Sequence, residues 1–173
     1  MPIVISLTDA EVAEAHRLGD QAFDVFRADR RYYNNLGPSD RKRKLGEIAV
    51  ERWARDLGVD VASPFRDVTL AGREDLVVAG VRVEVKTWHE GTWAGKGRSV
   101  APGQIPGIRE KADAIVWCSV EGNDVTLHGW STLDDVKAAP VAMTGTAQHP
   151  ATTHQVAIDD LRPMGGLADR AAG

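Results

Sequence analysis

The stretch Glu74-Asp-Leu-Val-Val-Ala-Gly-Val-Arg-Val-Glu-Val-Lys86 constrains this chain more than any other. Two β-prone runs flank Ala79-Gly80, and a small residue followed by glycine between such runs marks a tight hairpin turn. If Val78 pairs with Val81, facing residues sum to 159 and Asp75 lies across from Glu84. A symmetrical four-residue loop keeps that register, whereas a three-residue loop shifts it. Strand alternation then sets Val81, Val83 and Val85 on one face and Arg82, Glu84 and Lys86 on the other, where Asp75 joins them.

This register creates an electrostatic conflict. Opposed Cβ atoms in a hairpin are about 4.5–5.5 Å apart, and like charges at that spacing destabilise the pair. A divalent cation removes the conflict. Asp75, Glu84, the backbone carbonyl of Val85 and waters make a hard oxygen donor set suited to Mg²⁺ or Mn²⁺, which retains several waters and accepts a phosphate oxygen. Lys86 is placed to hold and polarise an attacking water and to offset charge on the attacked phosphate. The competing reading is a solvent-facing Glu84/Lys86 pair on an ordinary amphipathic strand.

The remaining chain reads as one domain, residues 1–164, with a helical part at 8–58, a sheet core at 66–137 and a flexible tail at 165–173. Thr8 or Asp9 can cap one helix, or two short ones, as far as Asp29, with Gly19 weakening its middle. A second helix spans about Arg41 to Leu57 and stops at Gly58. Next comes a β segment at about Val68 to Trp88. Five glycines and two prolines in GTWAGKGRSVAPGQIPG predict a mobile loop without regular structure. Ala112–Val120 and Val125–Trp130 form a buried hairpin, Ser131 or Thr132 caps a short helix through Lys137, and Pro140–Thr153 is irregular before a last strand at His154–Ile158.

Net charge is −4, so any contact with a polyanion must come from a local patch. Arg27, Arg30, Arg31, Arg41, Lys42, Arg43 and Lys44 supply one, with Tyr32 and Tyr33 between them. Lys96 and Arg98 on the glycine-rich loop are further candidates for the phosphate backbone, with Trp93 stacking on a base or sugar. A single cysteine, Cys118, in an apolar run excludes an internal disulfide and fits a reducing cytoplasm. The chain has no apolar span of membrane length. GTWAGKG departs from a P-loop in spacing and lacks Ser or Thr after Lys96. Zinc spacings and a serine-hydrolase elbow are also missing.

A helix carrying a glutamate, an Asp on one hairpin strand and E-x-K on the next resemble the PD-(D/E)XK nucleases, here in GEIAVERW and then EDLVVAGVRVEVKTW. The resemblance covers roughly residues 41 to 137 and departs from the family where Glu74 replaces the nominal proline. It implies an α/β (α+β) fold of restriction-endonuclease type, a central mixed sheet flanked by helices. It also implies that Asp75 and Glu84 ligate the metal, Lys86 serves the attacking water and Glu47 approaches the metal from its helix. Glu51, one turn away, is the alternative helix carboxylate. Gln104 resembles a polar residue that braces the centre in relatives, and His89 is a candidate for proton transfer or phosphate contact. The activity expected is metal-dependent hydrolysis of phosphodiesters, with DNA as substrate and a homodimer left open. The alternatives are a catalytically silent nuclease-fold module that binds nucleic acid or protein, and an α/β interaction domain with an accidental acidic cluster.

Overall fold

The computed structural model describes residues 1–26, 39–70, 72–144 and 150–169. The expected basic residues Arg27, Arg30 and Arg31, with Tyr32 and Tyr33, lie outside this set. In chain order the elements begin with β1 (Ile3–Ser6), α1 (Asp9–Phe26), α2 (Ser39–Asp56) and β2 (Val61–Ala62). They continue with β3 (Leu76–Val78), β4 (Val81–His89), α3 (Glu90–Lys96), β5 (Ser99–Val100) and α4 (Ile105–Lys111). The chain closes with β6 (Ala114–Glu121), β7 (Asp124–Ser131), α5 (Leu133–Ala138), β8 (Val141–Met143), β9 (Thr152–Gln155) and α6 (Gly165–Ala168).

Among the described residues, six strands form one mixed sheet in the order β1-β7-β6-β4-β3-β2, and β5-β9-β8 form a smaller one. The fold is α+β. The parallel β4–β6 pair sits at the centre and all other neighbours run antiparallel. The expected register holds: Val78 faces Val81, Val77 faces Arg82 and Leu76 faces Val83. Ala79 and Gly80 both take positive φ, 52° and 77°, as a two-residue hairpin turn of this hand requires.

Helices cover both faces. On one, Leu18 of α1 and Ile48, Ala49 and Trp53 of α2 bury against Val83, Val85, Val116 and Cys118. On the other, Trp93, Ile108, Leu133 and Val136 from α3, α4 and α5 pack on Ile115 and Trp117. Thr8 opens α1 as its cap: its backbone N–H donates to Glu11 Oε2 at 2.7 Å, and the Glu11 N–H donates back to Thr8 Oγ1. Gly19 does not break the helix. A Cβ there would lie 2.7 Å from the Arg41 backbone nitrogen, so glycine is what lets α1 approach the start of α2.

Several expectations are corrected. The glycine-rich segment is not a structureless loop: it builds α3, β5, a 3₁₀ turn at Pro102–Gln104 and α4. Pairing on β9 gives β5 and β8 their strand character, so 140–153 is not wholly irregular and the last strand is Thr152–Gln155. The region 165–168 is no free tail, because Met164 and Leu167 are buried in the main core and Trp130 bridges to Arg162. Residues 170–173 lie outside the described set. Strand β1 was not anticipated and is held by β7.

Gly46 fixes the distance between α2 and the sheet, since a Cβ there would come within 2.0 Å of the buried Thr87 Oγ1 on β4. Gly46→Ala should therefore destabilise the protein despite alanine's better helix propensity. Overpacking typically costs about 1–3 kcal/mol, and about 2–4 °C of Tm follows each kcal/mol in a chain of this size. A thermal melt that showed Gly46→Ala to be as stable as wild type would mean that α2 does not rest on β4 as described.

A candidate active site

Asp75 ends the irregular stretch before β3, and its backbone N–H donates to the Val83 carbonyl at 3.0 Å. Its carboxylate folds across the hairpin, where Oδ2 accepts from the Val85 N–H at 2.8 Å. This brings Asp75 beside Glu84, and both side chains are buried. Lys86 Nζ lies 3.1 Å from Glu84 Oε1, and Lys111 Nζ, from the end of α4, lies 2.5 Å from Glu84 Oε2. Glu47 enters from α2 at 1% exposure. Its Oε2 accepts from Lys44 Nζ at 2.6 Å, while its Oε1 is buried without a hydrogen-bond partner.

These groups line, or lie against, a cleft of about 600 Å³. Its walls carry Lys42, Arg43, Lys44, Arg73, Lys86 and Lys111 against Asp40, Asp67, Glu74, Asp75, Glu84 and Glu110, six cations balancing six anions. Burial, reinforced by the charges of Glu84 and Glu47, pushes the Asp75 carboxyl up to about 7. Burial also opposes charge on Glu84. There Lys86, Lys111 and Arg43 win, and they hold its carboxyl well below the usual range. Asp75 is thus the carboxylate that lacks sufficient positive charge.

The donor chemistry fits a hard divalent cation. Glu47 Oε1 is an orphaned carboxylate oxygen, Asp75 is held short of full ionisation, and Val85, whose N–H donates to Asp75, lies in the cleft wall. Among the described residues no three His, Cys, Asp or Glu side chains are already gathered at ligating spacing. Mg²⁺ does not need three, since one or two carboxylates with waters and phosphate oxygens commonly hold it.

Glu47 and Glu51 have separate surroundings. Glu51 accepts from Ser63 Oγ at 2.6 Å, from Arg55 at 2.7 Å and from Arg66 Nε at 3.0 Å, which leaves it saturated and turned from the cleft. Gln104 is exposed on the cleft rim. His89 is exposed at the start of α3 and does not line the cleft. Its neighbour Glu90 accepts from Ser119 Oγ, which also contacts His128 Nε2 at 2.7 Å.

The basic patch divides. Consecutive helical residues point about 100° apart, so Lys42 and Arg43 reach the cleft while Arg41 turns to α1 and forms a two-pronged bond to Asp20 at 2.7 and 2.8 Å. Lys44 is committed to Glu47 and to the Phe65 carbonyl at 3.2 Å. Arg98 is corrected outright: it is buried and donates to the carbonyls of Val156 and Trp93 at 2.8 and 2.7 Å, so it braces the small sheet and grips no phosphate. Trp93 is equally unavailable to a base, being buried and stacked on His128 with ring centroids 3.8 Å apart. Lys96 is exposed on the last turn of α3, away from the cleft.

Sequence reasoning missed Lys111. The signal was present in its spacing, because Lys111 is three residues from the buried Ile108 and so shares its inward helix face. Comparison with protein-family models, curated proteins and solved structures returns no match.

The Asp75 carboxyl titrates higher in the folded chain than its ordinary 3.8, so its protonated form is the favoured one. Its contribution to stability is present below about pH 4 and fades as the pH rises through 7. Asp75→Asn retains an acceptor for the Val85 N–H and removes the charge. In metal-free buffer it should melt higher than wild type at pH 8, by about 2–4 °C for each kcal/mol relieved, and lose that advantage at pH 4. A variant less stable than wild type at pH 8 would show that Asp75 is adequately neutralised as it stands.

Proposed function

We propose that this chain is a divalent-metal-dependent nuclease that hydrolyses phosphodiester bonds, with DNA as its substrate and the PD-(D/E)XK resemblance as its framework. The observation that carries the reading is the burial of Asp75 and Glu84 in one cleft, with the buried Glu47 near enough to act on the charge of Asp75 and Lys86 in contact with Glu84. A hairpin selected only for stability avoids such a cluster. A bound Mg²⁺ or Mn²⁺ would relieve it.

In this reading Asp75, Glu84, Glu47 and the Val85 carbonyl would hold the cation, which would supply positive charge near the attacked phosphate and lower the pKa of a nearby water. Lys86 orients that water and stabilises charge on the phosphoryl oxygens as the reaction proceeds. Water oxygen bonds to phosphorus as one phosphorus–oxygen ester bond breaks, and the departing alkoxide takes up a proton while the attacking water releases one. Lys42, Arg43 and Arg73 on the cleft walls face the phosphate backbone. Because the walls are balanced six against six, a bound divalent cation tips the cleft positive, so metal and polyanion favour one another's binding.

Among the described residues no helix is long and apolar enough to cross a membrane.

Incubation with supercoiled, linear and single-stranded DNA, with Mg²⁺, with Mn²⁺ and with EDTA, should show cleavage only with metal. Lys86→Ala should slow single-turnover cleavage about 10²–10³-fold, as loss of one preorganised electrostatic contact does, while leaving DNA affinity largely intact. Wild-type protein that binds DNA without cutting it under any of these conditions would instead identify a silent nuclease-fold module. Lys86→Ala cutting at the wild-type rate would refute the assigned mechanism.

A further inference from the structure

Each oxygen of Glu84 makes an ion pair with a lysine, Oε1 with Lys86 at 3.1 Å and Oε2 with Lys111 at 2.5 Å, the latter without hydrogen-bond geometry. The two lysines differ in how they are held. Lys86 stands mid-strand on β4, with Thr87 beside it wedged under α2. Lys111 is the last residue of the seven-residue helix α4, and its ammonium reaches the carboxylate on a four-carbon stem from outside the hairpin. It lies close enough to interact with Asp75 as well as with Glu84, the two hairpin carboxylates proposed to hold a cation. Lys111 therefore already neutralises the charge that a divalent cation would neutralise. Two cations cannot share one carboxylate oxygen at full strength, so a metal that takes Glu84 Oε2 must move the Lys111 ammonium aside.

Building on the metal-dependent nuclease reading, we propose that Lys111 is a second lysine of the site: it stands in for the divalent cation at Glu84 and, once displaced, grips the phosphate opposite Lys86. Its cleft location supports the second role, because Lys111 lines the same cleft as Glu84, Lys86, Lys42 and Arg43. The displaced ammonium stays within the cleft, where a phosphodiester entering the site supplies the partner that Glu84 no longer gives. Lys111 thus lowers metal affinity and raises the rate of the metal-loaded protein, two effects of opposite sign from one residue.

That opposition is what the test reads. Lys111→Met keeps the apolar stem and removes the charge, and Mn²⁺ binding followed by isothermal titration calorimetry should tighten at least about fivefold, the low end of coupling between linked sites. Plasmid cleavage at saturating Mn²⁺ should fall by about 10²-fold, as for loss of one electrostatic contact. Lys111→Arg, which keeps the charge, should stay near wild type in Mn²⁺ affinity and cleave faster than Lys111→Met. A residue that merely braced α4 would weaken both properties together and lower Tm equally in both variants. If Lys111→Met misfolds, Lys111→Gln is held to the same pair of outcomes. Wild-type metal affinity or wild-type cleavage in the charge-removing variant overturns the role of Lys111 and leaves the nuclease reading standing. A wild-type protein that neither binds Mn²⁺ nor cuts DNA overturns both.

Discussion

Buried like charge is the constraint around which this structure is arranged. Asp75, Glu84 and Glu47 are each almost removed from solvent, and carboxylates so placed must protonate, find cations or draw in a metal. The first two remedies are visible. Asp75 is pushed toward its protonated form, Glu84 is clasped by Lys86 and Lys111, and Glu47 is half satisfied by Lys44. The one carboxylate oxygen of Glu47 left without a partner, and the raised Asp75, mark where positive charge is still short. A chain under selection for stability alone would replace such a cluster with apolar side chains of similar volume.

The surrounding fold maintains that cluster by close approach of main chain. The two-residue turn at Ala79-Gly80 sets the β3–β4 register, which brings Asp75 to the side of β4 that carries Glu84 and lets its carboxylate accept from the Val85 N–H. Gly46 seats α2 directly on Thr87, and the next residue, Glu47, enters the site because its helix has no side chain to hold it off the strand. Gly19 does the same for α1 against the start of α2, the turn from which Lys42 and Arg43 reach the cleft. Packing, turn chemistry and electrostatics therefore act on the same few residues.

What the sequence made legible, and what it did not, follows from the range of the forces involved. The hairpin was readable because a two-residue turn fixes register locally: Leu76 to Val83 pair as the arithmetic predicts, and Asp75, just before β3, reaches across to the Val85 N–H. The β6–β7 hairpin and the Thr132 cap of α5 were readable for the same reason. The glycine-rich segment was misread because α3 and α4 are too short to declare themselves by periodicity. Tertiary contacts hold them instead: Trp93 stacked on His128, the Arg98 guanidinium on three carbonyl oxygens, and Ile108 in the second core. With α4 unseen, the three-residue spacing of Lys111 from Ile108 was not read as a shared inward helix face. The basic run from Arg41 to Lys44 looked like one surface, yet helical geometry sends its members to an acidic partner on α1, to the cleft and to Glu47. Glu47 and Glu51 could not be separated on a helical wheel, and only the arginines and serine that saturate Glu51 distinguish them.

The metal-dependent nuclease reading requires that the buried carboxylates hold a cation. The most direct measurement is a crystal structure of the wild-type protein grown with Mn²⁺, with data collected at the manganese absorption edge. An anomalous peak ligated by Asp75 and Glu84, with the Lys86 ammonium nearby, is the predicted result. Crystals that show no anomalous peak at these carboxylates, with Asp75 and Glu84 still surrounded only by lysine and arginine, would contradict it.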